Sequence, residues 1–466
     1  MRRYIYLIIL KIIFASLTVA APRLALAGQK HVPAEKLGSS EYCGLCHTDI
    51  YQQWNASSHH FSSFNNAVYR RVIESELGLN DREKLKFCAG CHDPIMLVSG
   101  GFDASDVNLN SWQANAGITC LVCHRMENMG PKNGDYTIAE PFLHPFALAQ
   151  DEKLRKTHEL LVELTPWIHS AVMSKAEYKT AEYCATCHEL EVPAEINGRN
   201  DLLIFNEFSA WSGSHYAERG GEVERRCQDC HMPLIASKDP AAKEGKIHDH
   251  SFAAGNSFLP LINRDFSHLE KVEKLLSSGV IALNILDITP MRGSNGNADV
   301  RVDLKITNLG VGHGFPGGTA DSTEVWLSVE VLDENGGLIW SRDVIRDEQP
   351  LDPDAFRIGT QFIDDAGNIT SRASTATKAV ARWKDNTIPP GESLYLALPV
   401  TLPEANSAER IFKIKLNWRK YSPEFIQWVF SGREVPPPKI TVVAESTQRF
   451  VIGSDKNNIR YGAPPP

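Results

Sequence analysis

The sequence predicts a chain in two parts: a mainly α N-terminal domain with long loops, then an antiparallel β-sandwich of immunoglobulin-like type. Three observations predict it. All ten cysteines fall in five copies of Cys-x-x-Cys-His between Cys43 and His231. A helical period follows over 267–282. From about Asp287 the apolar period changes from 3.6 to 2, and no cysteine occurs after Cys230.

The chain opens with an export signal, expected over 1–27. Arg2 and Arg3 form a positive start, and Ile5 to Ala21 is mostly apolar apart from Lys11. Ala25-Leu26-Ala27 supplies small residues for cleavage before Gly28. Lys11 splits the apolar run, leaving it short of the roughly 20 residues that span a bilayer. The processed chain is expected to be soluble, in the periplasm or at the outer cell surface.

Residues 28–286 carry the chemistry. The motifs are Cys43/Cys46/His47, Cys88/Cys91/His92, Cys120/Cys123/His124, Cys184/Cys187/His188 and Cys227/Cys230/His231. Thiols three residues apart lie on one side of a helical turn, where both can add to the vinyl groups of one haem. The next residue then lies beneath the ring, where its imidazole can bind iron. The pattern therefore predicts five covalently attached haems c, one per motif. Zinc ribbons, redox thiol pairs and disulfides also use Cys-x-x-Cys, but none needs a histidine right after it. With 16 His in 466 residues, five such histidines arise by chance with a probability on the order of 10⁻⁸. The motifs span 189 residues, too few for an ordinary core. The porphyrins must supply most of the buried apolar surface, wrapped by short helices and loops.

A partial internal repeat runs through this domain. Glu41-Tyr42-Cys43 and Glu182-Tyr183-Cys184 each open a motif. Each is followed by Trp-x-x-Ser, at Trp54 to Ser57 and Trp211 to Ser214, and then by a histidine, His59 or His215.

The helix over 267–282 is marked by a Ser267/Glu270 capping box and by Leu269, Val272, Leu276 and Val280 at helical spacing. The β-sandwich is expected over 287–450. Val302, Leu304 and Ile306 alternate with polar residues, as do Val325 to Val331, Leu394 to Leu398 and Phe412 to Trp418. Turn signals such as Glu334-Asn335-Gly336-Gly337 separate them. A disordered tail is expected over 451–466, ending in Pro464-Pro465-Pro466.

A low-spin haem needs a sixth ligand, and imidazole keeps the potential low. Only seven methionines occur. Met1 lies in the signal, and Met232 follows a proximal histidine and cannot reach over its own haem. The balance favours mostly bis-histidine iron. Four histidines stand out as distal candidates. His59 follows the Trp54 element, close to the first motif, and His169 sits between the third and fourth. His250 follows the fifth, and His313 lies in the glycine-rich loop Gly312 to Gly318 between expected strands. His60, His144, His158 and His215 compete for a fifth place. His31, His248 and His268 are assigned ordinary roles.

Phe87-Cys88-Ala89-Gly90-Cys91-His92-Asp93-Pro94, Gly117-Ile118-Thr119-Cys120, Asn133-Gly134-Asp135-Tyr136 and Cys227-Gln228-Asp229-Cys230-His231-Met232-Pro233 resemble exported bacterial multihaem cytochromes. Those belong to the superfamily of tetrahaem cytochromes related to hydroxylamine oxidoreductase. The Gly-His-x-Phe-Pro-x-Gly segment around His313 is similar to a β-domain often fused to them. The resemblance implies closely packed haems with mostly bis-histidine iron. It covers both carriers and enzymes, so it does not settle activity.

Electron transfer is the expected function. The alternative is an oxidoreductase acting on a small nitrogen or sulfur compound at an open haem. Pentahaem nitrite reductases commonly bind their catalytic iron through Cys-x-x-Cys-Lys, which this chain lacks, and they have no long C-terminal β-domain. No phosphate-cradling loop, HExxH or nucleophile elbow occurs, and no catalytic residue is assigned. A formal net charge of −9, with haem propionates adding to it, argues against nucleic acid. Other redox proteins are the expected partners, either cytochromes or a quinol-linked membrane complex, with the β-domain available for docking.

Overall fold

The computed structural model describes residues 29–140, 144–291, 298–370, 374–402 and 409–451. The export signal expected over 1–27 and the tail beyond Val451 lie outside them.

In the N-terminal half, four motif histidines close short helices: Arg82–His92, Cys120–His124, Ala181–His188 and Cys227–His231. The first motif begins in Ser40–Gly44 and hands over at His47 to Thr48–Asn55. Caps start two of them. The side chains of Asp81 and Thr119 accept from the amides of Lys84 and Val122, which would otherwise be orphan donors. The helices Glu152–Leu164 and Pro166–Met173 contain no buried residue, although one face of each lines a large internal cavity. Among the described residues, protein side chains build small apolar clusters here, around Ile95 and Val122 and around Phe64 and Leu85, and a third around Phe87, Val192 and Ile204 that reaches Phe362 and Ala379. Three short antiparallel pairs join the helices, closing loops that the helical reading left irregular.

The helix after the motifs runs Phe266–Leu276, shorter than expected. Asp265 caps it, accepting from His268 N, and Ser267 Oγ donates to the same carboxylate. Asp265 caps as well as serine and comes two residues earlier, so the helix starts ahead of the Ser267/Glu270 box. Ser277-Ser278-Gly279, with Gly279 at φ +82°, ends the helix before Ala282.

The strands are β1 Ile281–Pro290, β2 Ala298–Asn308, β3 Thr323–Leu332, β4 Leu338–Arg342, β5 Arg357–Ile358, β6 Thr360–Ile363, β7 Ala381–Asp385, β8 Ser393–Leu402, β9 Glu409–Lys420 and β10 Thr441–Val451. They form an antiparallel sheet in the order β4-β3-β9-β10, with β5 also on β3, a second sheet β8-β2-β1, and the hairpin β6-β7. β1 starts ahead of the boundary expected at Asp287. Ile281 and Leu283 already point inward, and a bulge between Ile285 and Asp287 shifts the inward parity to Ile288. The bulge hides the alternation from a period count. Val451, assigned to the tail from sequence, is the last residue of β10.

The two sheets share one core. Val300, Val302, Leu304 and Ile306 of β2 meet Val325, Leu327 and Val329 of β3 and Phe412, Ile414 and Leu416 of β9. Each such side chain contributes roughly 1.5–3 kcal/mol on burial. The strands therefore share one large apolar core, joined by Val272 and Leu276 of the preceding helix, whereas the described residues of the N-terminal half form several small clusters.

Candidate haem-binding cavity

One continuous cavity of about 1950 Å³ runs through the N-terminal half, and all ten cysteines and all five motif histidines line it. The motifs are held against one another by their flanking turns. Gly134, at φ +66°, lies so close to Gly90 that a Cβ would come within 2.8 Å of its carbonyl carbon. Gly134 N donates to Thr186 O at 2.7 Å, and Tyr136 Oη donates to Gly90 O at 2.8 Å. The Asn133-Gly134-Asp135-Tyr136 turn thus ties the second motif to the fourth. Only glycine fits that approach.

Thiols from different motifs meet across the cavity. Cys43 contacts Cys120, Cys91 contacts Cys187, and Cys184 contacts Cys227. Cys123 lies near both Cys184 and Cys187. The motifs are therefore neighbours in the order first, third, fourth, fifth, with the second against the fourth. Cys46 and Cys230, at the two ends of that order, are exposed.

Each of four motif histidines faces another imidazole. His47 and His169 have centroids 6.0 Å apart, His124 and His250 6.5 Å, and His231 and His313 6.3 Å, all three pairs nearly parallel. His59 and His188 stand 6.2 Å apart at 65°. A metal–imidazole nitrogen bond is about 2 Å long. Two rings on opposite sides of one metal then have centroids roughly 6 Å apart, so the residues present fit a six-coordinate haem iron in each gap. His59, expected near the first motif, instead faces the fourth, because the chain after Trp54 turns back under Gly117 and Ile118. His169 faces the histidine of the first motif, His250 that of the third and His313 that of the fifth.

Loss of water lowers the imidazole pKa at seven of these histidines, which keeps those rings neutral with a lone pair to offer. His59 falls to about 3, and His188 and His250 to about 4. His124, His169, His231 and His313 move the same way. Main-chain carbonyls fix most orientations. The Nδ1 atoms of His92, His231, His250 and His313 reach Ser62 O, Ala253 O, His248 O and Gly314 O at 2.7–3.0 Å. Gly317 leaves room for the His313 ring, since a Cβ there would lie 2.5 Å from it.

His92 is built differently. The Tyr69 ring stacks on it, 4.4 Å away and within 9° of parallel. Asp93, fully buried, sits beside the Tyr69 hydroxyl, and burial pushes its carboxyl up to about 7. The four rivals for a fifth distal place lie elsewhere. His60 packs on Trp54 and Phe61, and His215 on Tyr216. His144 lies 6.3 Å from His169 and 6.0 Å from His158. Sequence reasoning did not find Tyr69 or Asp239, whose carboxylate meets His47. Neither sits in a repeated or spaced pattern that could have marked it.

The family described as "Cytochrome c554 and c-prime" matches residues 42–125. Over almost the whole chain the structure is similar to a penta-heme cytochrome c552 from Thermochromatium tepidum. The TM-score is 0.58 at 19% identity, covering 90% of this chain and 100% of that one. This is the fold of a multihaem cytochrome c. A glycosyl hydrolase family 2 member from Bacteroides cellulosilyticus also matches, covering 37% of this chain and 15% of that one at 10% identity, with a TM-score of 0.19. No curated protein matches. Among the described residues, no helix is long and apolar enough to cross a membrane.

Proposed function

We propose that this chain transfers electrons through five covalently bound haems c. In this reading four of them are bis-histidine, held by His47/His169, His59/His188, His124/His250 and His231/His313. The single observation carrying it is one cavity lined by all ten motif cysteines, with four imidazole pairs 6.0–6.5 Å apart. Bound haem supplies an iron that takes up and gives back one electron. The protein fixes the ligands, keeps them neutral and brings neighbouring motifs into contact. Exposed Cys46 and Cys230 make the first and fifth haems the points of exchange with partner redox proteins, cytochromes or a quinol-linked membrane complex.

The reading includes export to the periplasm or outer surface, a relation to the hydroxylamine oxidoreductase superfamily, and an immunoglobulin-like β-sandwich that offers a docking face. A second reading, chemistry on a small nitrogen or sulfur compound, is favoured by the Tyr69 and Asp93 surroundings of His92. Intact mass and electron paramagnetic resonance of the purified protein test both. Five haems with at least four low-spin irons are expected. Fewer haems, or free thiols on folded protein, would defeat the proposal. Turnover of nitrite or hydroxylamine coupled to a high-spin signal would favour the second reading.

A further inference from the structure

The proximal histidines differ in what holds their outer nitrogen. His92, His124 and His231 meet neutral main-chain carbonyls, of Ser62, Met173 and Ala253. His47 meets a carboxylate. Its Nδ1 lies 2.8 Å from Asp239 Oδ1, and the Asp239 side chain is fully shielded from solvent. The loop is built to hold it. Asp239 Oδ1 also accepts from Ala241 N at 2.9 Å, an Asx turn before Ala242 N donates back to Asp239 O. Ser237 Oγ accepts from Asp239 N and donates to Asp49. Asp239 Oδ2 is buried with no hydrogen-bond partner among the described residues, so solvent does not screen the carboxylate that meets His47. Glu159 and Glu163 add negative charge beside Cys46.

We propose that Asp239 is a positioning residue that makes the haem of the first motif the lowest-potential site in the chain. A carboxylate accepting the Nδ1 proton makes the imidazole a stronger donor through Nε2. A buried anion close to the metal favours the more positive, oxidised state, and low dielectric strengthens that preference. Neutral carbonyls at the second, third and fifth motifs polarise their rings less. Electrons entering at the exposed first motif would then run downhill into the third and fourth.

The inference rests on the bis-histidine reading of His47 and His169. The test is potentiometric titration of the full haem-loaded protein, followed by optical and paramagnetic resonance spectra. In Asp239→Asn, which keeps the side chain's shape and its bond to Ala241 N, the lowest midpoint should rise while the others stay in place. Five haems and the low-spin signals should persist. Unchanged midpoints, or a shift in a higher one, would overturn the inference. A second variant makes the test independent of how Asp239→Asn folds. His169→Met puts a thioether on the same iron and raises that haem's potential. If the midpoint it raises is not the lowest of the unaltered protein, the inference fails. A first-motif iron already high-spin in the unaltered protein overturns the bis-histidine reading and this inference with it. Unmoved midpoints with intact low-spin signals overturn this inference alone.

Discussion

The elements after the first and fourth motifs are built alike and end differently. In the first, Trp54 donates its indole N–H to Ile118 O, and Ser57 Oγ turns back to Trp54 O. In the second, Trp211 donates to Arg225 O, and Ser214 Oγ turns back to Trp211 O. Each indole thus grips the second residue before another motif's first cysteine, Cys120 or Cys227. The thiol contacts Cys43–Cys120 and Cys184–Cys227 follow the same two pairings. After this common frame the histidines diverge. His59 points into the cavity opposite His188, while His215 is exposed and packs at a tilt on Tyr216. The imidazole facing the fifth motif comes from the other half of the chain, as His313. The local frame positions the cysteines, and whichever element reaches the far side of the gap supplies the facing imidazole.

The sharpest break in this comparison is at the histidines themselves. Replacing His59 or His313 by Ala should each open one iron. Reduced protein should then bind about one more carbon monoxide per chain than the unaltered protein, with a new high-spin signal. His215→Ala, the repeat's counterpart of His59→Ala, should change neither. Carbon monoxide titration of the three variants checks this. A gain in His215→Ala, or none in His313→Ala, would mean that the fifth motif takes its ligand from the repeat after all.

The contrast also shows what a sequence can reveal. The five attachment motifs were legible because their chemistry is local: two thiols and an imidazole on one helical turn. Trp54, Ser57, Trp211 and Ser214 were visible for the same reason, as a spaced pattern. His59, His169, His250 and His313 could be singled out, but not matched to motifs, because pairing depends on where separate elements come to lie. His59 is near Cys46 in sequence and opposite His188 in space. The β-half was readable from alternation except at the bulge in β1, where the parity changes. Asp239 and Tyr69 act through single contacts across long sequence separations and leave no periodic trace.

A second way to sharpen the comparison uses the tryptophans. Trp54 is 7% exposed, whereas Trp211 is only partly buried. Trp54→Ala should cost roughly 3–5 kcal/mol, as for a large core aromatic. Trp211→Ala should cost less, on the order of 1–2 kcal/mol, mainly the lost hydrogen bond to Arg225 O. Denaturant unfolding of haem-loaded protein measures both. Equal losses would mean that the two frames are energetically equivalent, and that exposure of Trp211 does not weaken its hold on the fifth motif.

The smallest expected effect lies one helical turn earlier, where the two frames carry Ile50 and Glu207. Ile50 needs no partner. The Glu207 carboxyl accepts from Gly318 N, in the loop that follows His313, while its Oε2 is sealed from solvent. Loss of water pushes this carboxyl up to about 7, against the opposing pull of the Gly318 amide and Lys420. A carboxyl whose folded pKa lies above its unfolded value of 4.5 binds its proton more tightly in the folded state. It therefore contributes stability that is complete below about 4.5 and fades as pH rises to about 7. Glu207→Gln keeps an oxygen for Gly318 N and removes the titration. Thermal unfolding at pH 5 and pH 8 should show the unaltered protein losing more stability between the two than Glu207→Gln. The apolar counterpart Ile50→Val should leave the pH dependence as it was. If Glu207→Gln keeps the full fall in melting temperature, the carboxyl is already ionised in the folded protein, and the seam between the halves draws nothing from its proton.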